Sequence, residues 1–543
     1  MSKKLISIAE VLVIVCLAAV PLFTSFPYRV NIFLSWEGAY RISLGEIPFR
    51  DFGTPLGGMY WVIPGMFFKI FGPQMISLIK AQVFINILSG LAFRSILKSF
   101  SVNPGISFCS ILLFCLSYSF VNFWPWYNHT VIVYELIALA FVLKYIFVKE
   151  GTKFSYLYLV AGAFFVFASF FTKQDGGGMA FAICAAVLAY HGYLSRKWLP
   201  LGVYLASVVA IMGGIMVWLS SYRFGYWFNH GQAPHTARIS IKDIADEFFM
   251  NSQWIKFYLF VIAVLLVVGY KKGKDLFLSN RDGIFLLFTI AILGEAAVFQ
   301  VTSYTPPDNN IFYHAFALSY ILFLLERLSA FEFLSKKIVY VGAAGVLLWW
   351  SGTYWKYIQR LSDRNGDANP AGQIVSNPAT GENVVNKLTY KLTAAPADDA
   401  SSDNWAFSNL YTLKKIYLPK STVDGIERVK AMDVVKNNKD IKFLNMSELT
   451  TLAADIPYKL EHNENYPLWF HLGVGMFNSE AAMFEDRLKK KEYDIVLFEH
   501  IKNLNNFYPF RIRNVLKDQY KLVDSFQAPR RGDTQGLIEV YVK

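Results

Sequence analysis

The chain has 543 residues, 54% of them hydrophobic and 17% aromatic, and a formal net charge of +12. Several apolar runs are long enough to cross a bilayer, which excludes an ordinary soluble globular protein. The surplus of Lys and Arg falls in short connections where membrane topology favours it, so the charge speaks for orientation in a membrane and against nucleic-acid binding.

A hydrocarbon core about 30 Å thick takes about 20 apolar residues per helix. Helices are predicted near 5–25, 74–98, 105–123, 130–148, 155–172, 177–194, 198–220, 255–270, 283–302, 309–327 and 337–356. The first, LISIAEVLVIVCLAAVPLF, follows Lys3 and Lys4 but lacks a small-residue cleavage site, so it reads as a retained helix rather than a signal peptide. The run LGGMYWVIPGMFFKIFG, residues 56–72, contains Pro64, Lys69 and four Gly. At about 1.5 Å per residue, its roughly 16 helical residues fall short of the core thickness, and a helix lying at the interface is expected.

Eleven spans then carry the chain from a cytoplasmic N-terminus to an outer C-terminus. Lys3, Lys4, Arg94, Lys98, Lys144, Lys149, Lys153, Arg196, Lys197, Lys271, Lys272, Lys274, Lys336 and Lys337 all fall on the cytoplasmic side. If 56–72 spanned instead, the N-terminus and the segment before it would exchange sides while every later loop stayed put. Charge counting allows both. Cys16, Cys109, Cys115 and Cys184 lie inside predicted helices, which argues against a disulfide framework or a cysteine metal cluster.

After residue 356 the composition turns polar and rich in Pro, Gly and Ala, so 357–405 reads as linker or irregular surface. Residues 406–543 read as a small soluble α/β domain on the outer side. YDIVLFEHI and GLIEVYVK are its expected strands, and SELTTLAADI and SEAAMFEDRLKKK its expected helices. The fold class is thus an α-helical polytopic membrane protein of about eleven transmembrane helices plus juxtamembrane helices, with a C-terminal α/β domain. No internal repeat is visible.

Candidate chemistry begins at SWEGAYRISLGEIPFRDFGTPLGG, residues 35–58, just outside the first helix. Glu37 and Tyr40 share one turn, and Asp51 follows a Pro48-Phe49-Arg50 turn. A carboxylate hemmed by aromatics at a membrane surface can serve as a general base when its surroundings tune it. The plainer alternative is that Glu37 and Asp51 only pair with Arg41 and Arg50 on a solvated loop.

The order of features here resembles the first outer loop of the GT-C membrane glycosyltransferases, a superfamily that includes protein mannosyltransferases and the aminoarabinose transferase of lipid A. Its members typically read acidic-x-x-Tyr, then Gly-x-x-Pro-Tyr-x-Asp-Phe, then Pro-Leu, then a Leu-Phe-Gly exit. Glu37, Tyr40, Gly45, Pro48, Asp51, Phe52, Pro55, Leu56, Phe71 and Gly72 occupy those places in this chain. The match covers about forty residues and implies a loop, here 26–73, that carries the catalytic base within a transmembrane catalytic domain of residues 1–356.

LVAGAFFVFASFFTKQDGGG looks like the helix of these enzymes that ends in small residues and an outward-facing Lys. Lys173 would there pair with a lipid phosphate, with Asp175 orienting it or touching sugar. Many relatives place a second acidic residue in the next outer loop, where this chain has WPWYNHTV. Asn128 and His129 are the polar candidates there, and no metal ligand set is read; a divalent cation is not required by the sequence. Glu135 and Glu295, one to two turns inside their helices, are candidates to face a water-filled cavity, and Lys80 and His314 are further candidates for substrate contact. The aromatic, basic segment 221–254 is a candidate acceptor-facing lid.

The resemblance implies a glycosyltransferase in a bacterial cytoplasmic membrane, moving sugar from a polyprenyl-phosphate carrier to a glycan, lipid or protein acceptor on the outer face. Glu37 would take the acceptor proton for displacement with inversion, and Asp51 is the rival base. Lys173, with Lys80 or Arg50, would neutralise the leaving phosphate. The alternative class is a transporter or flippase for lipid-linked glycans, whose expected inverted repeats are missing. A glycan polymerase or ligase stands closer in kind.

Overall fold

The computed structural model describes residues 2–23, 26–27, 32–119, 123–228, 241–250, 252–271, 280–303, 311–328, 336–350, 405–414, 416–438, 440–456, 458–470, 477–501, 508–529 and 536–543. The expected linker 357–405 and the centre of the expected lid lie outside these residues, apart from Trp405.

Every predicted helix has a counterpart. They are α1 (Lys3–Ala19), α4 (Met75–Ser99), α5 (Pro104–Leu116), α6 (Tyr127–Lys144), α7 (Leu157–Phe170), α8 (Gln174–Ser195), α9 (Leu199–Leu219), α11 (Gln253–Lys271), α12 (Asn280–Ser303), α13 (Ile311–Leu328) and α14 (Lys336–Trp349). Among the described residues, seven are long and apolar enough to cross a membrane. The chain is a multi-pass membrane protein. α5 and α7 are among the helices shorter than predicted. α5 has 13 residues and passes into a 3₁₀ turn at Ser117–Ser119, and α7 has 14 because tight turns precede it.

α6 lies at the centre, packed against α4, α7 and α8, whereas α9 and α11 present most of their surface outward. Val209, Val217 and Phe260 on those two helices are exposed, as lipid-facing apolar residues should be.

Between α1 and α4 the sequence suggests a loop and one interface helix, but the structure has two helices. α3 (Met59–Phe71), 13 residues long, occupies the run for which an interface helix is expected. α2 (Ile32–Leu44) was not expected: it carries Glu37 and Tyr40 on a helix instead of a loop. The two cross closely at Gly38, where an added Cβ would fall 2.0 Å from Cε2 of Trp61. The Trp61 indole N–H donates to the Leu34 carbonyl at 2.9 Å, which fixes the ring flat on that bare stretch of helix.

The C-terminal unit has a four-stranded sheet in the order β4 (Phe443–Met446), β5 (Ile495–Ile501), β7 (Gly536–Val542), β6 (Lys521–Gln527), parallel only between β4 and β5. Helices cover both faces. Ile495 and Leu497 of β5 share a core with Ile426 and Val429 of α15 (Lys420–Ala431). Val496 and Phe498 pack with Phe484 of α16 (Phe477–Lys489) and Ile512 of α17 (Phe510–Gln519). Burial on both faces explains why the YDIVLFEHI run is continuously apolar instead of alternating. SELTTLAADI forms only the single turn Leu452–Asp455 rather than a full helix.

A second, small sheet ties this unit to the start of the chain. β1 (Phe26–Pro27) pairs in parallel with β3 (Ile416–Pro419), which pairs antiparallel with β2 (Trp405–Phe407). The C-terminal unit therefore sits at the end of the bundle where α1 finishes.

Substituting Gly38→Ala should lower stability by about 1–3 kcal/mol through overpacking against Trp61. Gly178→Ala in α8, where an added Cβ meets nothing within 4 Å, should be neutral or stabilising. Paired thermal unfolding curves in detergent check the contrast.

Candidate functional site

The polar centre of the opening segment is built by helix spacing and one glycine. Glu37 and Arg41 lie four residues apart on α2, so their side chains share a face, and Arg41 Nε donates to Glu37 Oε1 at 2.9 Å. Gly45, at φ 91°, ends the helix: its N–H donates to the Ile42 carbonyl and the Glu46 N–H to the Arg41 carbonyl, a Schellman closure. That reversal turns Glu46 back over Arg41, whose Nη1 donates to Glu46 Oε2 at 2.8 Å.

The guanidinium lies between the rings of Phe52 and Tyr466, 5.3 and 4.9 Å from their centroids, and also donates to the Glu461 carbonyl at 3.0 Å. Arg41 is wholly buried, and Glu37 and Glu46 are 4% and 6% exposed. Burial pushes the Glu37 carboxyl above its ordinary pKa, against the pull of Arg41. Burial also opposes the charge on Arg41, but Glu37 and Glu46 outweigh it and hold the guanidinium protonated above its usual range. The space beside Glu37, bordered by Asn445, Tyr458 and Tyr466, is about 10 Å³, room for one water and not for a sugar.

Asp51 has a different setting. Its Oδ2 accepts from the Ile47 N–H at 2.7 Å, and Arg50 donates to both oxygens at 2.9 and 2.6 Å. The Asp51 side chain is 15% exposed and that of Arg50 is 42% exposed. Burial raises the Asp51 pKa, but Arg50 and the Ile47 N–H outweigh it and bring it below the ordinary carboxylate value. Phe49 within this turn has φ 71°, a conformation L-residues seldom take. Its ring is buried against Phe171 and Phe224, which locks the strained backbone in place. From the other side the C-terminal unit clamps the turn: the Asn463 N–H donates to the Asp51 carbonyl and the Gly53 N–H to the Tyr466 carbonyl.

The same aromatic cluster reaches the start of α8. Trp227 packs on Phe170 and Phe171, and its carbonyl accepts from Gln174 Nε2 at 3.1 Å. Next to Gln174, Lys173 Nζ donates to Asp175 Oδ2 at 2.8 Å and lies 4.9 Å over the Phe299 ring. Asp175 also accepts from the Gly176 N–H in the first turn of α8, where a carboxylate complements the helix dipole.

The other sequence candidates scatter. Tyr40 stacks at 4.8 Å on Trp36, and Lys80 lies 4.2 Å over the Phe71 ring. Asn128 Oδ1 and His129 Nδ1 are buried at the start of α6 with no hydrogen-bond partner. His314, on α13, is bonded to the Tyr258 hydroxyl at 2.8 Å, and its ring lies tilted against Trp254 with centroids 4.2 Å apart. Glu135 and Glu295 are each 1% exposed and lie against one another. Among the described residues no group of His, Cys, Asp and Glu is arranged to hold a metal ion. Sequence reasoning missed Glu46, Tyr466, Glu461 and His462, whose Nε2 lies 3.3 Å from Glu46 Oε1, as parts of this region. Glu46 was signalled only by its place after the capping glycine, and the other three, some 420 residues distant, by nothing.

No family model matches the chain, and no curated protein does. Among solved structures it is similar to ArnT from Cupriavidus metallidurans, bound to undecaprenyl phosphate (12% identity, TM-score 0.48) and in the apo state (11%, 0.49), covering 98% of this chain and 97% of that one in each case. An oligosaccharyltransferase from Archaeoglobus fulgidus, in complex with Zn and sulfate, matches at 12% identity and TM-score 0.36 over 66% of this chain and 54% of that one. Likeness of this depth assigns no activity.

Two outcomes follow from the electrostatics. Arg41→Met leaves two buried carboxyls without their guanidinium and should cost about 3–5 kcal/mol, with partial recovery when Glu37→Gln and Glu46→Gln are added; thermal unfolding measures both. Because the Asp51 pKa is lowered on folding, its contribution is present above the unfolded value near 4 and lost as pH falls through the folded one. Asp51→Asn should therefore flatten the acid limb of a stability–pH profile.

Proposed function

We propose that this protein is a glycosyltransferase that moves sugar from a polyprenyl-phosphate carrier to an acceptor hydroxyl at the outer face of the membrane. The carrier class follows the resemblance of residues 35–72 to the GT-C first loop. The side follows the basic residues Lys98, Lys144, Lys149, Lys153, Arg196 and Lys197, which gather at the bundle end away from Asp51.

One observation carries the mechanism: the pairs Arg50–Asp51 and Lys173–Asp175 flank a single aromatic cluster of Phe49, Phe171 and Trp227. A cation and a carboxylate on each side of an apolar wall suit a lipid phosphate and a sugar. Lys173, steadied by Asp175, meets the carrier phosphate. Arg50 is exposed enough to swing from Asp51 to that phosphate, which removes the partner that holds the Asp51 pKa down. Asp51 then takes the proton of the acceptor hydroxyl while its oxygen attacks the anomeric carbon. The bond from that carbon to the phosphate oxygen breaks, and the electron pair leaves with the phosphate, inverting the centre.

The burial of Glu37 under Tyr458 and Tyr466 moves the base from Glu37, the first choice from sequence, to Asp51. Glu37 becomes the anchor of Arg41. Phosphate is already a fair leaving group, so positioning and charge neutralisation supply much of the acceleration.

The test is carrier release from a panel of polyprenyl-phosphate sugars by purified protein. Asp51→Asn should slow release by about 10²–10⁴-fold with insertion unchanged. Glu37→Gln should keep turnover per folded molecule. The reverse pattern returns the base to Glu37, and no release with any donor, alongside transport of a lipid-linked glycan in vesicles, rejects the transferase.

A further inference from the structure

The opposite end of the bundle holds a second cationic feature that transfer chemistry does not use. α6 starts at Tyr127 beside the outer residues, and its continuation ends at Lys149, 22 residues further on. At about 1.5 Å per residue that is about 33 Å, one hydrocarbon thickness. There the helix widens into a π turn at Tyr145–Lys149, and the chain reverses through Gly151 and Phe154, at φ 77° and 63°, into α7.

The reversal leaves an open cleft of about 590 Å³ between the two helices. Phe141, Leu157 and Tyr158 form its apolar wall, and Lys149, Thr152 and Lys153 its polar rim. Lys144 lies 5.6 Å over the Tyr158 ring and adds a third cation. Among the described residues none of these three lysines meets a carboxylate. The nearest acid in sequence, Glu150, is taken by Lys197 at 2.9 Å and by His191 at 3.5 Å. Phe154 combines a strained backbone with a ring that is 68% exposed and that carries the Lys153 ammonium 5.2 Å over its face. Val148 and Leu157 beside it are also exposed.

Uncompensated ammonium groups above an apolar wall, at the depth where a bilayer ends, match a ligand with an anionic head and a hydrocarbon body. We infer that this cleft seats an anionic phospholipid, its phosphate between Lys149 and Lys153 and the first part of an acyl chain along Phe141, Leu157 and Tyr158. Basic pockets between transmembrane helices on the cytoplasmic side recognise such headgroups through charge, and exposed Phe154 and Leu157 become buried when the chain is present. A free inorganic anion would use the lysines and leave the apolar wall bare.

The experiment is native mass spectrometry of the full-length protein in detergent, titrated with phosphatidylglycerol or phosphatidylcholine of identical acyl chains. Phosphatidylglycerol should be retained preferentially. Lys149→Gln with Lys153→Gln should weaken it by about fivefold per lysine, roughly 25-fold together. Lys197→Gln, on the same face but paired with Glu150, should leave retention unchanged. Lys153→Gln alone, at an exposed position, gives the same reading if the double variant folds poorly. Equal retention of the two lipids, or undiminished phosphatidylglycerol on the lysine variants, overturns the assignment. So does displacement of the lipid by millimolar inorganic phosphate, which would make the site one for a free anion.

Discussion

The end of the bundle that meets the C-terminal unit hangs on one buried guanidinium. Arg41 has two carboxylates, two aromatic faces and a backbone carbonyl as partners, drawn from α2, from the segment after it and from the C-terminal unit. Removing a charge from water is costly, and only this full set of contacts offsets it. Arg41 therefore specifies an arrangement more than it adds stability: any shift of the C-terminal unit relative to α2 would leave a charge without its partners. The Asp51 turn is then held from two sides, by the aromatic cluster and by the strand-like bridge from Gly53 to Pro467.

Much of the transmembrane architecture was legible because lipid leaves so few choices. A run of twenty apolar residues in hydrocarbon must satisfy its own backbone, so hydropathy finds helices well. α2 escaped for the converse reason. IFLSWEGAYRISL carries Glu37 and Arg41, which read as solvent-facing, and is followed by a glycine, Gly45, that reads as a turn. Both signals were real: the charges mark a helical i, i+4 pair and the glycine marks a helix end. What sequence could not supply was burial, since the lid over Glu37 comes from residues 458–468, whose composition announces nothing.

The candidate site shows the same division. Lys173 beside Asp175, and Arg50 beside Asp51, were readable as local pairs, and the structure has both. His314 and the Glu135–Glu295 couple were chosen because charged or polar groups at membrane depth are rare and often functional. The His314 ring is instead satisfied by Tyr258 and Trp254. The two glutamates come from α6 and α12, 160 positions apart in the chain, and their meeting is a matter of packing that no single-helix periodicity encodes.

The strand at Phe26–Pro27 has a consequence for how the molecule comes to exist. It leaves the ribosome right after the first helix, yet its partner, Ile416–Tyr417, is made nearly four hundred residues later. Through all of that synthesis this segment has an unpaired edge, and Arg41 lacks the Tyr466 ring and the Glu461 carbonyl. Contacts so distant in sequence are slow to close. The face built around Arg41 is thus the last part to become itself, assembled only when residues beyond 400 have been made and have folded back on the segment after the first helix.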